Sequence, residues 1–350
     1  MFAKLNFPDS LHPEELDDYL ANGWFRMGQT IFTTNFLKFS GIIYSAIWLR
    51  IDLSTFEKTK TQQKLEKLNA GFKVVIQPIQ FNEKQEILFQ KYRNHISFDA
   101  SPSLENLLFN NGQNDIFNTY EVSVYDQEKL IATGFFDLGD NTSAGITCFY
   151  DPDYKKHSLG KFLMYQKIDF CRNLGMHYFY PGYFAPGYPL FDYKLDLAKN
   201  NLEYLDIHTN NWLSFKHYSN ENIPFLIMTE KLKTLSEQLN EIGFEHTFFK
   251  YDYFDADLMT NLNGLNLFDF PIFIFCFEVD ENNPSPIIVY DIRDQQYHLL
   301  LSTSVFRTYA DQNQGDHYST NLLKTIKYLY SSASANIMAN VVSMSLIKTV

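Results

Sequence analysis

The sequence predicts a mixed α/β (α+β) protein, and three observations carry that reading. A strand-like run ending in Phe149-Tyr150-Asp151-Pro152-Asp153 leads through a glycine-containing turn, His157-Ser158-Leu159-Gly160-Lys161, into an amphipathic helix. That helix closes at Gly175 and is followed by an aromatic-rich strand, Tyr178-Phe179-Tyr180-Pro181-Gly182-Tyr183. Around these pieces, residues 72–183 alternate between period-two segments and segments of helical spacing.

Taken in order, residues 14–22 read as a short helix with Gly23 past its end, and 23–52 as β-branched and aromatic strands. Residues 57–69 form a polar helix carrying Lys58, Lys60, Lys64 and Lys67. A strand over 73–79 precedes a helix over 82–94, with Ile87, Leu88 and Tyr92 on one side, and a shorter helix over 103–109 capped by Ser103. Strands over 119–125 and 129–138 are joined by the hairpin turn Asp126-Gln127-Glu128, and a third strand runs over 145–150. The helix 159–174 places Phe162, Leu163, Gln166, Ile168, Phe170 and Leu174 near helical spacing, and a strand over 176–183 completes the series. The order β-α-α-β-β-β-α-β resembles the topology of GNAT acyltransferases. Beyond it we expect a strand pair over 201–215, a helix over 230–242, strands over 272–279, 287–292 and 297–302, and a helix over 318–330. Asn282-Asn283-Pro284-Ser285-Pro286 reads as a turn. The expected organisation is an N-terminal module (1–70), a GNAT-like core (71–205) and a C-terminal α/β extension (206–350).

Composition narrows the function. The formal net charge of -12 speaks against a protein that coats nucleic acid non-specifically, but not against recognition of one RNA end through a local basic patch. Three cysteines, Cys148, Cys171 and Cys276, form no CxxC pair, and the nine histidines show no HxxxH or HExxH, so no metal site is expected. The apolar runs 39–53 and 333–347 fall short of the ~20 residues of a spanning helix, and no basic start with an apolar segment behind it opens the chain. A cytoplasmic protein without membrane or DNA partners is expected.

The series Ser143 to Tyr154, Ser158-Leu159-Gly160-Lys161, Tyr180-Pro181-Gly182-Tyr183 and Tyr193-Lys194 resembles the C-terminal half of arginyl-tRNA–protein transferases. Those enzymes carry similar Phe-Tyr-Asp-Pro, Ser-Leu-Gly, Tyr-x-Gly-Tyr and Tyr-Lys pieces. Upstream, Gly23-Trp24-Phe25-Arg26-Met27-Gly28 is similar to the family's Gly-Phe-Arg-Arg-Ser-Gly, and Arg50, 60–64 with Asn69, and 88–92 with His95 follow in matching order. The chain departs from the family in two places. No cysteine precedes Cys148, so the N-terminal cysteine cluster of many members is missing, and the extension after residue 200 has no counterpart. The family's Met-x-Tyr-Lys reads Phe191-Asp192-Tyr193-Lys194 here.

The resemblance implies transfer of an amino acid, arginine first and leucine as the alternative, from aminoacyl-tRNA to the α-amine of proteins that begin with an acidic residue. No cofactor is expected beyond the aminoacyl-tRNA itself. Because the ester is already activated, the enzyme has to align ester and amine, take a proton and stabilise an oxyanion. Lys155, Lys156, Ser158, Leu159 and Gly160 are the candidates for the terminal phosphate or 3′ adenosine, though the residues alone equally make a solvated loop with Ser158 as helix cap. Asp137 and Asp151 are candidates to orient or deprotonate the amine, although Asp151-Pro152 is equally a turn. Tyr150, Tyr180 and Tyr183 would line the acyl pocket and donate to the oxyanion, or else be core. Arg26, Arg50 and Lys194 are the natural cations for an acidic acceptor side chain, and the helix bearing Lys58–Lys67 is either a tRNA contact or a solvated face. Two other classes stand beside the transferase. One is a non-catalytic binder of acidic N-termini or tRNA; the other is an acetyl-CoA-dependent acetyltransferase, against which Ser158 occupies the expected first glycine position.

Overall fold

The computed structural model describes residues 1–350 except 99, 111–114, 277–283, 308–317, 320 and 347–350. Its centre is an eight-stranded sheet. The strands are β1 (Ile47–Asp52), β2 (Lys73–Pro78), β3 (Thr119–Asp126), β4 (Lys129–Leu138), β5 (Thr142–Tyr150), β6 (Tyr178–Phe184), β7 (Leu202–Asp206) and β8 (Asn211–Ser214), in spatial order β8-β7-β1-β6-β5-β4-β3-β2. Beside the helix Pro13–Ala21, which packs on Trp48, Ala144 and Tyr180, four helices accompany it: α1 (Lys60–Leu68), α2 (Glu83–Arg93), α3 (Leu104–Phe109) and α4 (Leu159–Asn173). From β2 to β6 the element order is the predicted β-α-α-β-β-β-α-β, so the GNAT-like reading of the core holds.

Burial explains the layering. On one face, Phe162, Leu163, Ile168 and Cys171 of α4 and Leu65 of α1 pack on Val122, Val124, Phe136 and Phe179. On the other, Leu88, Phe89, Leu104 and Leu108 of α2 and α3 meet Phe135 and Phe149. Successive strand residues point to opposite faces, which is how Phe135 and Phe136 serve different layers.

A six-stranded sheet forms most of the extension, with helices Pro224–Glu241 and Ala335–Leu346 beside it. Its core takes in Phe2, Phe36 and Ile43 from the chain start. Sheet membership therefore crosses both expected boundaries: β1 precedes residue 70 yet is a central strand, and β8 follows residue 205 yet joins the same sheet. The predicted helix over 318–330 is corrected. Asn321–Ser332 is a strand paired antiparallel with Gln296–Arg307, because cross-strand partners for its aromatic and β-branched residues outweigh a chance helical spacing of leucines. The expected end of a strand at Val279, the turn start at Asn282-Asn283 and Ile347 lie outside the described residues. Among the described residues no helix is long and apolar enough to cross a membrane.

Candidate active site

The site begins where the two central parallel strands part. β5 and β6 pair only from Thr142↔Tyr178 to Ala144↔Tyr180. Past that point β5 bulges: its register against β4 jumps from Gly145↔Phe136 to Thr147↔Phe135, leaving Ile146 as the extra residue. β6 bulges against β1 between Phe179 and Gly182, at a proline that has no N–H to donate and a glycine at φ 84°. Lys167 of α4, fully buried, fixes the first bulge, because its ammonium donates to the carbonyls of Phe135 at 2.8 Å and Thr147 at 2.9 Å. Nothing in the sequence marked Lys167, since a lysine in an amphipathic helix reads as surface.

Two cavities flank the opening and share Gly145, Ile146, Pro181, Phe191 and Lys194. The larger, about 390 Å³, is walled by apolar residues of α2, the bulge and α4, among them Phe89, Ile146 and Met164. Among the described residues no carboxylate lines it, and the one charged group in its wall is the Lys194 ammonium. The smaller, about 230 Å³, has Asp137, Arg26, Tyr183 and Lys194 in its wall.

Asp137 is fully buried near the end of β4. Its Oδ1 accepts from Arg26 Nη1 at 2.8 Å and from Thr119 Oγ1 at 2.8 Å, while Oδ2 is buried with no partner. Burial raises its pKa, against the opposing pull of Arg26 and Thr119. Arg26, expected as an acceptor-binding cation, has most of its donors engaged by the protein itself: besides Asp137, it donates to Gly28 O at 2.7 Å, Thr119 Oγ1 at 2.7 Å and Leu108 O at 2.5 Å.

Lys194 lies opposite in character. Its Nζ donates to the Tyr183 carbonyl at 2.5 Å and sits 4.9 Å from the Phe191 ring centroid, with no ion pair among the described residues. Burial draws its pKa down to about 7. Tyr183 lines the same cavity, and burial pushes its hydroxyl up to about 12, so it stays a donor at neutral pH.

The turn before α4 is built by other means than the sequence implied. Asp151 is almost wholly buried; burial alone would raise its pKa, but Lys129 at 2.8 Å, Lys91 at 2.5 Å and the Asp153 N–H hold it at about 2. It caps the short 3₁₀ helix Pro152–His157 and lies outside both cavities, so its expected role at the amine is corrected to a structural one. Ser158 occupies the helix N-cap position at φ 49°, yet its side chain makes no cap bond. Leu159 is buried as an anchor, and Gly160 lies against the Tyr150 ring. Lys155 and Lys156 are exposed, and His157 fastens the turn to Asn69, whose Nδ2 donates to His157 O at 3.1 Å. The first N–H groups of α4 lack helical acceptors, which suits an anion between these lysines and the helix.

Three further expectations are corrected. Tyr150 stands beside Tyr92, 5.5 Å between centroids, at the turn and outside both cavities. Tyr180 is fully buried against Phe25 and Trp212, its hydroxyl unpartnered, because the β6 pleat turns it away from the opening. Arg50 pairs with Glu203 at 2.6 Å and stacks on Tyr178 and Trp212, at the β7 side of β1.

Comparison with known proteins agrees with the geometry. Residues 84–203 match the family described as arginine-tRNA-protein transferase, C terminus. The aspartate/glutamate leucyltransferase of Leptospira interrogans (strain Fiocruz L1-130) is 28% identical over 194 residues, covering 54% of this chain and 74% of that protein. The aspartate/glutamate leucyltransferase of Campylobacter jejuni (strain RM1221) is 25% identical over 202 residues, covering 56% and 83%. A solved GCN5-related N-acetyltransferase from Kribbella flavida aligns with 42% of this chain and 61% of its own at 16% identity, with a TM-score of 0.25, too low to bear on the fold. The resemblance to the transferase family read from the motifs is borne out over this region.

Proposed function

We propose that this member of the aminoacyl-tRNA–protein transferase family moves leucine from leucyl-tRNA to the α-amine of proteins that begin with aspartate or glutamate. The observation that carries the choice of donor is the larger cavity, whose wall among the described residues is mostly apolar, holds the Lys194 ammonium and has no carboxylate. A guanidinium entering it would lose its hydration without a partner, whereas a leucyl side chain gains by burial. Arginine, the donor first expected, is therefore set aside. The names of the relatives support the same donor and the same acceptors.

In this reading the leucyl side chain fills the larger cavity and the ester lies at the Ile146 bulge. The terminal phosphate rests at the start of α4 beside Lys155 and Lys156. The acceptor's first residue occupies the smaller cavity, with its side-chain carboxylate on Lys194 and its ammonium on the free Oδ2 of Asp137. Asp137 takes the ammonium proton, the amine attacks the ester carbonyl, and the Tyr183 hydroxyl donates to the oxyanion. The C–O bond to the ribose then breaks, the second proton of the amine passes to the leaving ribose oxygen, and the proton held by Asp137 is released to solvent. No cofactor is invoked.

The test is transfer of labelled leucine and, separately, arginine from charged tRNA to peptides starting with Asp, Glu, Asn or Ala. Label from leucyl-tRNA on the acidic peptides alone is expected. Label from arginyl-tRNA would restore arginine as donor, and peptide binding without label would favour a non-catalytic binder.

A further inference from the structure

The outer face of α1 is charged in a way the site so far described does not use. Its inner face is fixed: Leu65 and Gln62 are buried, and Gln62 Nε2 donates to Asp169 of α4 at 2.9 Å. Lys60, Lys64 and Lys67, spaced four and three residues apart, therefore share the opposite face, and all three are exposed. They make no ion pair among the described residues, and neither do Lys155 and Lys156.

The neighbouring carboxylates are already matched. Lys58 takes Glu66 at 2.7 Å and Asp169 at 2.8 Å, Lys161 takes Asp196 at 3.0 Å, and Lys91 takes Asp151 and Asp153. Glu57, ahead of the helix, is the one exposed carboxylate between residues 57 and 69. Three unmatched cations on one helix face, with two more on the turn before α4, concentrate positive charge locally in a chain of net charge -12. The stripe is also tied to the turn before α4, because Asn69, directly after α1, bonds His157 through Nδ2 to O at 3.1 Å and through Oδ1 to Nδ1 at 3.0 Å.

We propose that the outer face of α1 binds backbone phosphates of the acceptor arm of the aminoacyl-tRNA, continuing the path from the 3′-end site at the start of α4. The inference rests on the transferase reading above for the identity of the RNA. Lys60 and Lys67 lie about 10 Å apart along the helix axis at ~1.5 Å per residue, a span over which the three lysines reach several successive phosphates of one strand.

The experiment uses the full chain and two triple variants, Lys60→Glu/Lys64→Glu/Lys67→Glu and the corresponding alanine set, both checked for unchanged thermal unfolding. Uncharged tRNA binding is followed by fluorescence at several salt concentrations, and transfer is followed with leucyl-tRNA and with the small ester 3′-O-leucyladenosine. The glutamate variant is expected to weaken tRNA at least tenfold and to raise KM for leucyl-tRNA by the same factor with kcat unchanged. The alanine set should lower the slope of log K against log salt by about 2–3. Kinetics with 3′-O-leucyladenosine should not change. Wild-type affinity in the glutamate variant overturns the proposal, as does an equal loss of affinity for a DNA duplex of the same length. Loss of tRNA binding in a protein that transfers nothing would support the stripe and sink the transferase reading; transfer with an unchanged KM would do the reverse.

Discussion

Arg26 and Asp137 face each other at 2.8 Å with side chains 4% and 1% exposed, and the arginine engages one carboxylate oxygen while leaving the other free. This pair differs in kind from Arg50–Glu203, whose side chains are 14% and 26% exposed. Removing one partner of a buried pair strands the other charge. Arg26→Met should therefore cost about 3–5 kcal/mol, whereas Arg50→Met should cost at most ~1 kcal/mol through its ion pair. Urea unfolding of the two variants measures the difference; equal losses would refute it.

Asp137→Asn keeps a hydrogen-bond acceptor for Arg26 but removes the proton acceptor. Leucyl transfer should fall by about 10²–10⁴ in kcat, with acceptor-peptide binding weakened as well. Single-turnover kinetics together with a binding isotherm test this.

In the proposed reaction Lys194 sets the alkaline side of the pH profile. There the acceptor carboxylate needs the charged lysine, and burial draws that group down to about 7. With Asp137 required ionised, kcat/KM for acidic acceptors should be bell-shaped, falling as pH rises past about 7. Lys194→Arg should move the falling limb to higher pH, and Lys194→Met should abolish the preference for Asp over Asn. A flat profile between pH 6 and 9 would refute the role.

The same depressed pKa bears on stability. Between about 7 and the ordinary 10.5, the unfolded chain holds a proton on Lys194 that the folded chain lacks. Its contribution to stability therefore rises with pH across that window and is lowest below it. Lys194→Met should raise Tm at pH 6, with the gain fading towards pH 10.5.

Donor choice is open to direct redesign. Ser101 lines the larger cavity, and Ser101→Asp places a carboxylate there. The ratio of arginyl to leucyl transfer should increase at least tenfold, on the scale of ~1.4 kcal/mol for one partnered charge. An unchanged ratio would show that the donor side chain lies elsewhere.

Much of this was legible in the sequence and some was not. The strands of 119–138 and the helix of 159–173 declare themselves by spacing, and the residue pattern placed them within a few positions. Strand Asn321–Ser332 did not, because its identity depends on a partner strand rather than on its own spacing. Asp137, Tyr183 and Lys194 were candidates in the sequence, and the fold brings them to one cavity. The engagement of Arg26 was hidden because its partners Leu108, Thr119 and Asp137 lie 82 to 111 positions away, so nothing local revealed that most of its donors were taken. The apolar cavity was invisible for a similar reason, since its wall is assembled from residues between Phe89 and Lys194.

The place of β1 has a consequence for how the chain is made. Its apolar residues Ile47, Trp48, Leu49 and Ile51 emerge early, but their strand partners are Tyr183, Phe184 and Leu202 to Tyr204. At about 5–20 residues per second of synthesis, the gap lasts on the order of ten seconds. During that interval a largely apolar strand waits on the ribosome with no partner strand to receive it. Nascent chains stalled before β6 should therefore be the species that aggregate or recruit chaperones, and release should come only when the second half of the sheet arrives.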